Sequence, residues 1–244
     1  MRPPDPVFAD PRLAVLYDAL DDDRSDLDAY VAIAAELRAT TVVDVGCGTG
    51  SLAVLLAERG LTVVGVDPAG ASLDVARTKP YADRVTWLHG DATALLDRDG
   101  AEAAADLVVM TGNVAQVFVS DDDWTETLAA VRGCLRPGGW FVLETRRAEA
   151  RAWESWDVPP TTVDLPHGNS VVVSRTVTEV ALPLVSFETA TTVGGETVPS
   201  TSTLRFRSLD EIERDLADHD LVLTDVREAP DRPGLEMVLL ARRD

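Results

Sequence analysis

Three glycines, at 46, 48 and 50 in the run VVDVGCGTG (42–50), fall between a β-branched segment and a helical one. Lacking a Cβ, the backbone there can turn sharply and approach a ligand more closely than other residues allow. Such a loop suits a nucleotide-like cofactor. The dinucleotide fingerprint GxGxxG needs a glycine three places after Gly48, where Ser51 stands instead, so GxGxG is complete and the pyrophosphate pattern is not. Asp44, just before the loop, would be unwelcome beside a pyrophosphate. Asp67 closes TVVGVD about 20 residues further on, where a carboxylate can accept from both hydroxyls of a ribose. Asp91, in HGDATAL, stands where an acid can accept from an adenine amino group. Three acids around one loop favour a ligand without phosphates and with a cationic centre. Each acid also has a plainer reading: Asp44 bracing the loop, Asp67 capping a turn, Asp91 an ordinary acid at a strand end.

The elements that must position these groups are legible as an alternation. Two helices are expected first, Pro11 to Ala19 and Asp26 to Arg38, the second with Leu27, Tyr30, Val31, Ala34 and Leu37 at spacings of three and four. Then come TVVDV, a helix from Ser51 to Arg59, TVVGVD, a helix from Ala71 to Thr78, VTWLHGD, and DLVVMTG at 106–112. A helix from Asp121 to Cys134 follows, with an acidic first turn, then the turn 136–139 and the strand GWFVLET. Strands alternating with helices predict a parallel sheet covered on both faces. Between Arg146 and Ser208 the helical period gives way to Thr/Val-rich runs with a Gly194-Gly195 turn, which predicts a small inserted antiparallel sheet. A helix from Leu209 to Ala217 and two strands, DLVLTDVRE and EMVLLARR, close the chain.

Composition narrows the function. The 244 residues suffice for one decorated α/β unit. With 42 acidic against 22 basic residues the net charge is −20, which repels a phosphate backbone and argues against nucleic acid as substrate. Prolines and acids interrupt the N-terminal MRPPDPVFAD, and no apolar run approaches a membrane span. A cytoplasmic protein is expected, with Cys47 and Cys134 as reduced thiols.

VVDVGCGTG, VVGVD, GDATAL, LVVMTGN and LRPGGWFVLET resemble, in order and spacing, the successive motifs of class I S-adenosylmethionine (SAM)-dependent methyltransferases over roughly residues 40–145, and the elements after Ser208 resemble that family's closing ones. The resemblance implies a Rossmann-like α/β fold with a seven-stranded sheet in the order 3214576, the last strand antiparallel, and the β insertion after strand 5. It divides the chain into helices and a SAM-binding core (1–146), an inserted lid or substrate element (147–207) and a closing helix with two strands (208–244). It implies SAM as methyl donor, S-adenosylhomocysteine as product, and no metal. Gly46, Cys47, Gly48 and Gly50, with Asp44, would lie under the methionine part. Asp67, with Pro68 after it, would hold the ribose; Asp91 and the backbone of Ala92 would read the adenine; Met110, Thr111, Gly112 and Asn113 would flank the sulfonium and the methionine tail. Tyr17 falls on the helix that similar enzymes fold over the cofactor, where its hydroxyl could touch SAM or its ring could simply pack.

The expected reaction is in-line transfer of the methyl group to oxygen or nitrogen of a small-molecule acceptor, for which alignment matters more than a strong base. Where a base is needed, His167 in DLPHGNS is the candidate; His89 and His219 read as structural. Trp153 and Trp156 could wall the acceptor site, though anchoring the insertion is the favoured reading. Arg146, at the end of the fifth strand, could pair with an acceptor carboxylate. The alternatives are an NAD(P)-dependent oxidoreductase, disfavoured by the missing glycine and by Asp91, and a non-catalytic SAM-binding protein. The edge of the inserted sheet offers a contact for a homodimer.

Overall fold

The computed structural model describes residues 3–20, 24–96, 104–166 and 169–244. Its principal sheet contains β1 (Thr41–Val45), β2 (Thr62–Asp67), β3 (Val85–His89), β4 (Ala105–Met110), β5 (Leu135–Arg146), β10 (Leu221–Glu228) and β11 (Glu236–Arg243). The spatial order is β3-β2-β1-β4-β5-β11-β10. All neighbours among the first five run parallel, whereas β11 is antiparallel to both β5 and β10. Counted as seven strands, this is the expected order 3214576 with an antiparallel closing strand.

The strands read as continuous β-branched runs because both of their faces are covered. Val43 and Val45 point to a cluster with Trp124 and Leu128 of α7 (Asp121–Cys134) and Ile212 and Leu216 of α8 (Leu209–Ala217). Val42 and Leu107 point the other way, to Tyr30 and Ile33 of α4 (Asp26–Glu36) and Leu52 and Leu56 of α5 (Ser51–Glu58). Ser120 caps α7 by accepting from the Asp123 N–H at 3.1 Å, and three acids occupy that first turn, where the helix dipole favours them. Ser208 caps α8 likewise through the Glu211 N–H.

Two local expectations are revised. The single helix over Pro11 to Ala19 is two short turns, α2 (Pro11–Ala14) and α3 (Tyr17–Leu20), following another, α1 (Pro6–Ala9). The bend buries Leu13 and Ala14 on the protein while leaving Val15 exposed. Residues 136–139 are not a turn before β5 but a bulge inside it. Leu135 pairs with Ala105 and Trp140 with Leu107, so extra residues of β5 loop out opposite Asp106.

The segment after β5 makes 3-10 turns at Ala148–Ala150 and Ala152–Ser155, then a four-stranded antiparallel meander. Its strands are β6 (Val158–Asp164), β7 (Ser170–Ala181), β8 (Leu184–Val193) and β9 (Glu196–Arg205). Trp153, Val185 and Phe206 form its own small core, with Trp156 packed against them. No helix among the described residues is long and apolar enough to cross a membrane.

Candidate active site

The carboxyl ends of β1, β2 and β4 converge on one cleft of about 1240 Å³, counted out to its open mouth. This is where ligands bind in open α/β sheets. Gly46, Cys47 and Gly48 line it. The Gly46 and Cys47 N–H groups donate to the Val66 carbonyl at 2.9 and 3.1 Å, which ties the loop to β2. Gly48 and Gly112 both line the cleft with left-handed φ values of 53° and 63°, and a Cβ on either would meet no protein atom within 4 Å. Both glycines therefore border open space at the cleft wall, a cradle that leaves room for a ligand.

The three aspartates meet at this cradle. Asp67 is buried, its carboxylate accepting from the Gly48 N–H at 2.8 Å and the Ala69 N–H at 2.7 Å. Burial raises its pKa despite these bonds. The plainer reading of Asp67 as a local cap therefore holds in part, with lone pairs left over on both oxygens. Asp91 accepts from the Thr93 N–H at 2.9 Å through one oxygen, which caps the 3-10 turn Ala92–Leu95 and leaves the other oxygen for a partner. Asp44 is 2% exposed, and burial together with the Asp67 charge pushes its pKa up to about 7, against the opposing pull of Arg24. No hydrogen bond contributes to that balance. A buried acid without one is costly unless something positive arrives.

The N-terminal segment closes the cleft from the other side. Pro3, Pro4, Asp5, Phe8, Tyr17 and Arg24 line it, with the Phe8 and Tyr17 rings 5.7 Å apart. Asp18 ties this strap to the loop by accepting from Thr49 Oγ1 at 2.6 Å and pairing with Lys79 Nζ at 2.6 Å. Sequence reasoning missed Phe8 and Arg24, which come from outside the alternating core. It missed Lys79 as well, although that residue is the chain's sole lysine.

Of the residues expected at the cofactor, Tyr17, Asp44, Gly46, Cys47, Gly48, Asp67, Pro68, Asp91, Ala92, Thr111 and Gly112 come together on the cleft. Gly50, Met110 and Asn113 do not line it. A Cβ on Gly50 would stand 2.4 Å from Trp87, so that glycine serves packing. Met110 is fully buried in the core. Asn113 is buried, and its Oδ1 has no hydrogen-bond partner among the described residues.

Arg146, Trp153 and Trp156 also lie off the cleft. Arg146 pairs with Glu236 at 3.2 Å, donates to Gln116 Oε1 at 2.9 Å and lies over the Trp156 ring at 5.3 Å, so its guanidinium is committed to the protein. Trp153 meets Phe206 edge-on at 4.8 Å, and Trp156 meets Phe187 edge-on at 5.2 Å. Both pack within the small core of the insertion itself. His167 lies outside the described residues.

Behind Gly112 lies a buried polar group that the sequence did not announce beyond one Glu in the apolar run WFVLET. Glu144 accepts from the Tyr30 hydroxyl at 2.5 Å and the Gly112 N–H at 3.0 Å. Burial and the adjoining Glu236 raise its pKa well above the usual carboxylate range. Burial opposes ionisation of Glu236 too, but the hydrogen bond from Glu144 and the guanidiniums of Arg146 and Arg232 hold it below the usual carboxylate range. This arrangement fixes the backbone of Gly112 at the floor of the cleft.

Comparison with known proteins agrees with this architecture. Residues 42–139 match the family model described as a methyltransferase domain. A cypemycin N-terminal methyltransferase from a Streptomyces species is 31% identical over 153 residues, 62% of this chain and 60% of its own length. A demethylmenaquinone methyltransferase from Thermus thermophilus is 36% identical over 117 residues, 46% of this chain and 50% of its own. The chain thus spans about half to three-fifths of the curated relatives it matches. Likeness of fold extends further. A SAM-dependent methyltransferase from Clostridium acetobutylicum superposes with a TM-score of 0.75 at 17% identity, covering 95% of this chain and 98% of the other. A SAM-bound amino pentose methyltransferase from Micromonospora echinaspora gives 0.71 at 21% identity, covering 94% and 97%. Residues 42–139 thus match a methyltransferase domain, and the whole chain shares its fold with solved SAM-dependent methyltransferases.

Proposed function

We propose that the protein transfers a methyl group from SAM to an oxygen or nitrogen atom of a small-molecule acceptor. The observation that carries this reading is the glycine cradle ringed by Asp44, Asp67 and Asp91 in one cleft. These acids match a cationic nucleoside and would oppose a pyrophosphate. Bound there, SAM would supply an electrophilic methyl group. Asp67 would accept from ribose hydroxyls and the second oxygen of Asp91 from the adenine amino group. Asp44 and Arg24 face the same end of the cleft with opposite charges, a combination that fits the ammonium and carboxylate of an amino acid. Phe8 and Tyr17 would exclude water above the reacting atoms, and the backbone that Glu144 fixes at Gly112 would hold the methyl donor in line with the acceptor. His167 is the residue proposed to take up a proton where the acceptor must lose one.

A small acceptor is supported by the relatives, whose names refer to cypemycin, demethylmenaquinone and an amino pentose. It is supported too by the net charge of −20, which disfavours nucleic acid. Calorimetric titration with SAM, S-adenosylhomocysteine and NADH tests the reading. Micromolar binding of the first two is expected, weakened at least tenfold by Asp67→Ala and by Asp91→Ala, each of which removes hydrogen bonds to the ligand. Binding of NADH alone would replace methyl transfer with an oxidoreductase.

A further inference from the structure

The inserted sheet has one face that is unusual for a surface turned toward a core. Cross-strand partners share a face, and the register pairs Arg175 with Thr189 and Thr189 with Ser200. The flanking rows on that face are Val177, Phe187 and Ser202 on one side and Val173, Thr191 and Val198 on the other. This is the inward face: Phe187 packs on Trp156, Ser200 and Ser202 are buried, and Ser200 Oγ accepts from the Val7 N–H at 3.1 Å. Val7 precedes Phe8, a lining residue of the cofactor cleft. A face packed only for stability would carry aliphatic side chains at these positions. Here a row of hydroxyls runs from the rim of the cleft to an arginine.

That arginine is unlike the others off the surface. Arg146, Arg205 and Arg207 all hold carboxylates or carbonyls. Arg175 is half-buried, and no hydrogen bond or ion pair reaches it from any described residue. Its Nε has neither solvent nor partner. The guanidinium lies 5.3 Å over the Phe187 ring, so one of its flat faces is occupied while its donor edge is not. Burial alone lowers its pKa, with no compensating anion. A partly buried cation that no described carboxylate pairs, in a chain this acidic, points to an anion that is not part of the protein.

We propose that the inward face of the inserted sheet is the acceptor surface and that Arg175 receives an anionic group, carboxylate or phosphate, carried by the acceptor. This rests on the methyl-transfer reading. Two strand spacings separate Arg175 from Ser200, about 10 Å, so the acceptor would be a small molecule with its anion about that far from the rim of the cleft. Thr189 lies between them for a hydroxyl or amide of the acceptor.

The test uses the whole protein saturated with S-adenosylhomocysteine and titrated with benzoate, phenyl phosphate and the neutral benzyl alcohol. At least one anion should bind, with the order of benzoate and phenyl phosphate telling carboxylate from phosphate, and benzyl alcohol should bind far more weakly. Arg175→Met keeps the aliphatic stem against Phe187 and should weaken anion binding roughly 10- to 100-fold, the usual worth of a charge-assisted hydrogen bond. Arg175→Lys should retain most of it, and both variants should bind S-adenosylhomocysteine as the wild type does. The site is refuted if Arg175→Met binds the anions unchanged, if benzyl alcohol matches benzoate, or if neither anion binds the wild type below about 10 mM, weaker than a built site for a small ligand. Should the wild type bind no S-adenosylhomocysteine, the methyl-transfer reading fails. The same anion titrations without it then still decide whether Arg175 is a binding group.

Discussion

In the parallel sheet, β1, β2 and β4 are covered on both faces and deliver to the cleft groups fixed at strand ends: glycines that leave room, N–H groups held by Val66 and Asp67, and the carboxyls of Asp44 and Asp67. In the inserted sheet, β9 alternates exposed with buried residues, and the inward face of β7 to β9 delivers side chains: hydroxyls, an aromatic ring and an arginine. A site built at strand ends tolerates little change around it, because a displaced strand end moves every contact together. A site read by side chains can be respecified one residue at a time while the sheet persists. On the readings proposed above, the methyl donor belongs to the first sheet and the acceptor to the second.

The largest test of that separation is Trp153→Ala. Trp153 is 4% exposed and centres the small core of the insertion with Phe206 and Val185. Its loss should cost about 3–5 kcal/mol, felt in the inserted sheet. Hydrogen exchange should show β7 to β9 losing protection, while S-adenosylhomocysteine still binds with wild-type affinity, since Trp153 does not line the cleft. A matching loss of cofactor affinity would mean that the two sheets act as one unit.

The N-terminal strap bridges the sheets, and two of its ion pairs differ in kind. At the inner end, Lys79 and Asp18 form a pair only 17% and 34% exposed, which Thr49 and Ser51 join. At the outer end, Arg12 and Glu196 pair at 2.9 Å with exposures of 51% and 76%. Lys79→Met leaves Asp18 without its counter-charge and should cost about 1–3 kcal/mol in urea unfolding and speed release of S-adenosylhomocysteine. Glu196→Ala should cost under about 1 kcal/mol and change release little. The reverse ranking would place the closing contact of the strap on the insertion.

These attachments also mark where the sequence stopped being informative. VVDVGCGTG, Asp67 and Asp91 were legible because a strand, a glycine turn and a helix N-terminus are local, and the chemistry of such a loop follows from residues next to one another. Arg146 was misjudged as a free group for an acceptor because its partners, Gln116 and Glu236, lie 30 and 90 positions away, and only the pairing of β5 with β11 brings Glu236 to it. Tyr30 and Glu144 are 114 positions apart and share a short hydrogen bond that no spacing announces. Arg175 looks like any polar residue of a Thr-rich strand until the register shows what shares its face. The helix expected over Pro11 to Ala19 failed for a related reason: the period was helical, but the strap has to bend to present Phe8 and Tyr17 to the cleft.

Asp44 supplies the effect that bears most directly on the preference of the cleft for a cationic ligand. Its folded pKa of about 7 lies above the ordinary value of 3.8 because burial and Asp67 disfavour the charge. A carboxyl raised in this way contributes to folding stability most fully below its unfolded pKa, and that contribution falls away as pH rises through about 7. Binding of a cationic ligand runs in the opposite sense, because it favours the ionised form. Below about pH 7 a proton must leave Asp44 as SAM enters, so affinity should rise with pH by up to tenfold per unit, about 1.4 kcal/mol, and level off above it. Calorimetry at pH 6 and pH 8, in two buffers of different ionisation enthalpy, should show proton release at the lower pH and almost none at the higher. Asp44→Asn should bind SAM more weakly and without this pH dependence. A wild-type affinity that is flat between pH 6 and pH 8 would mean that the ammonium lies elsewhere, and that Asp44 only braces the loop it precedes.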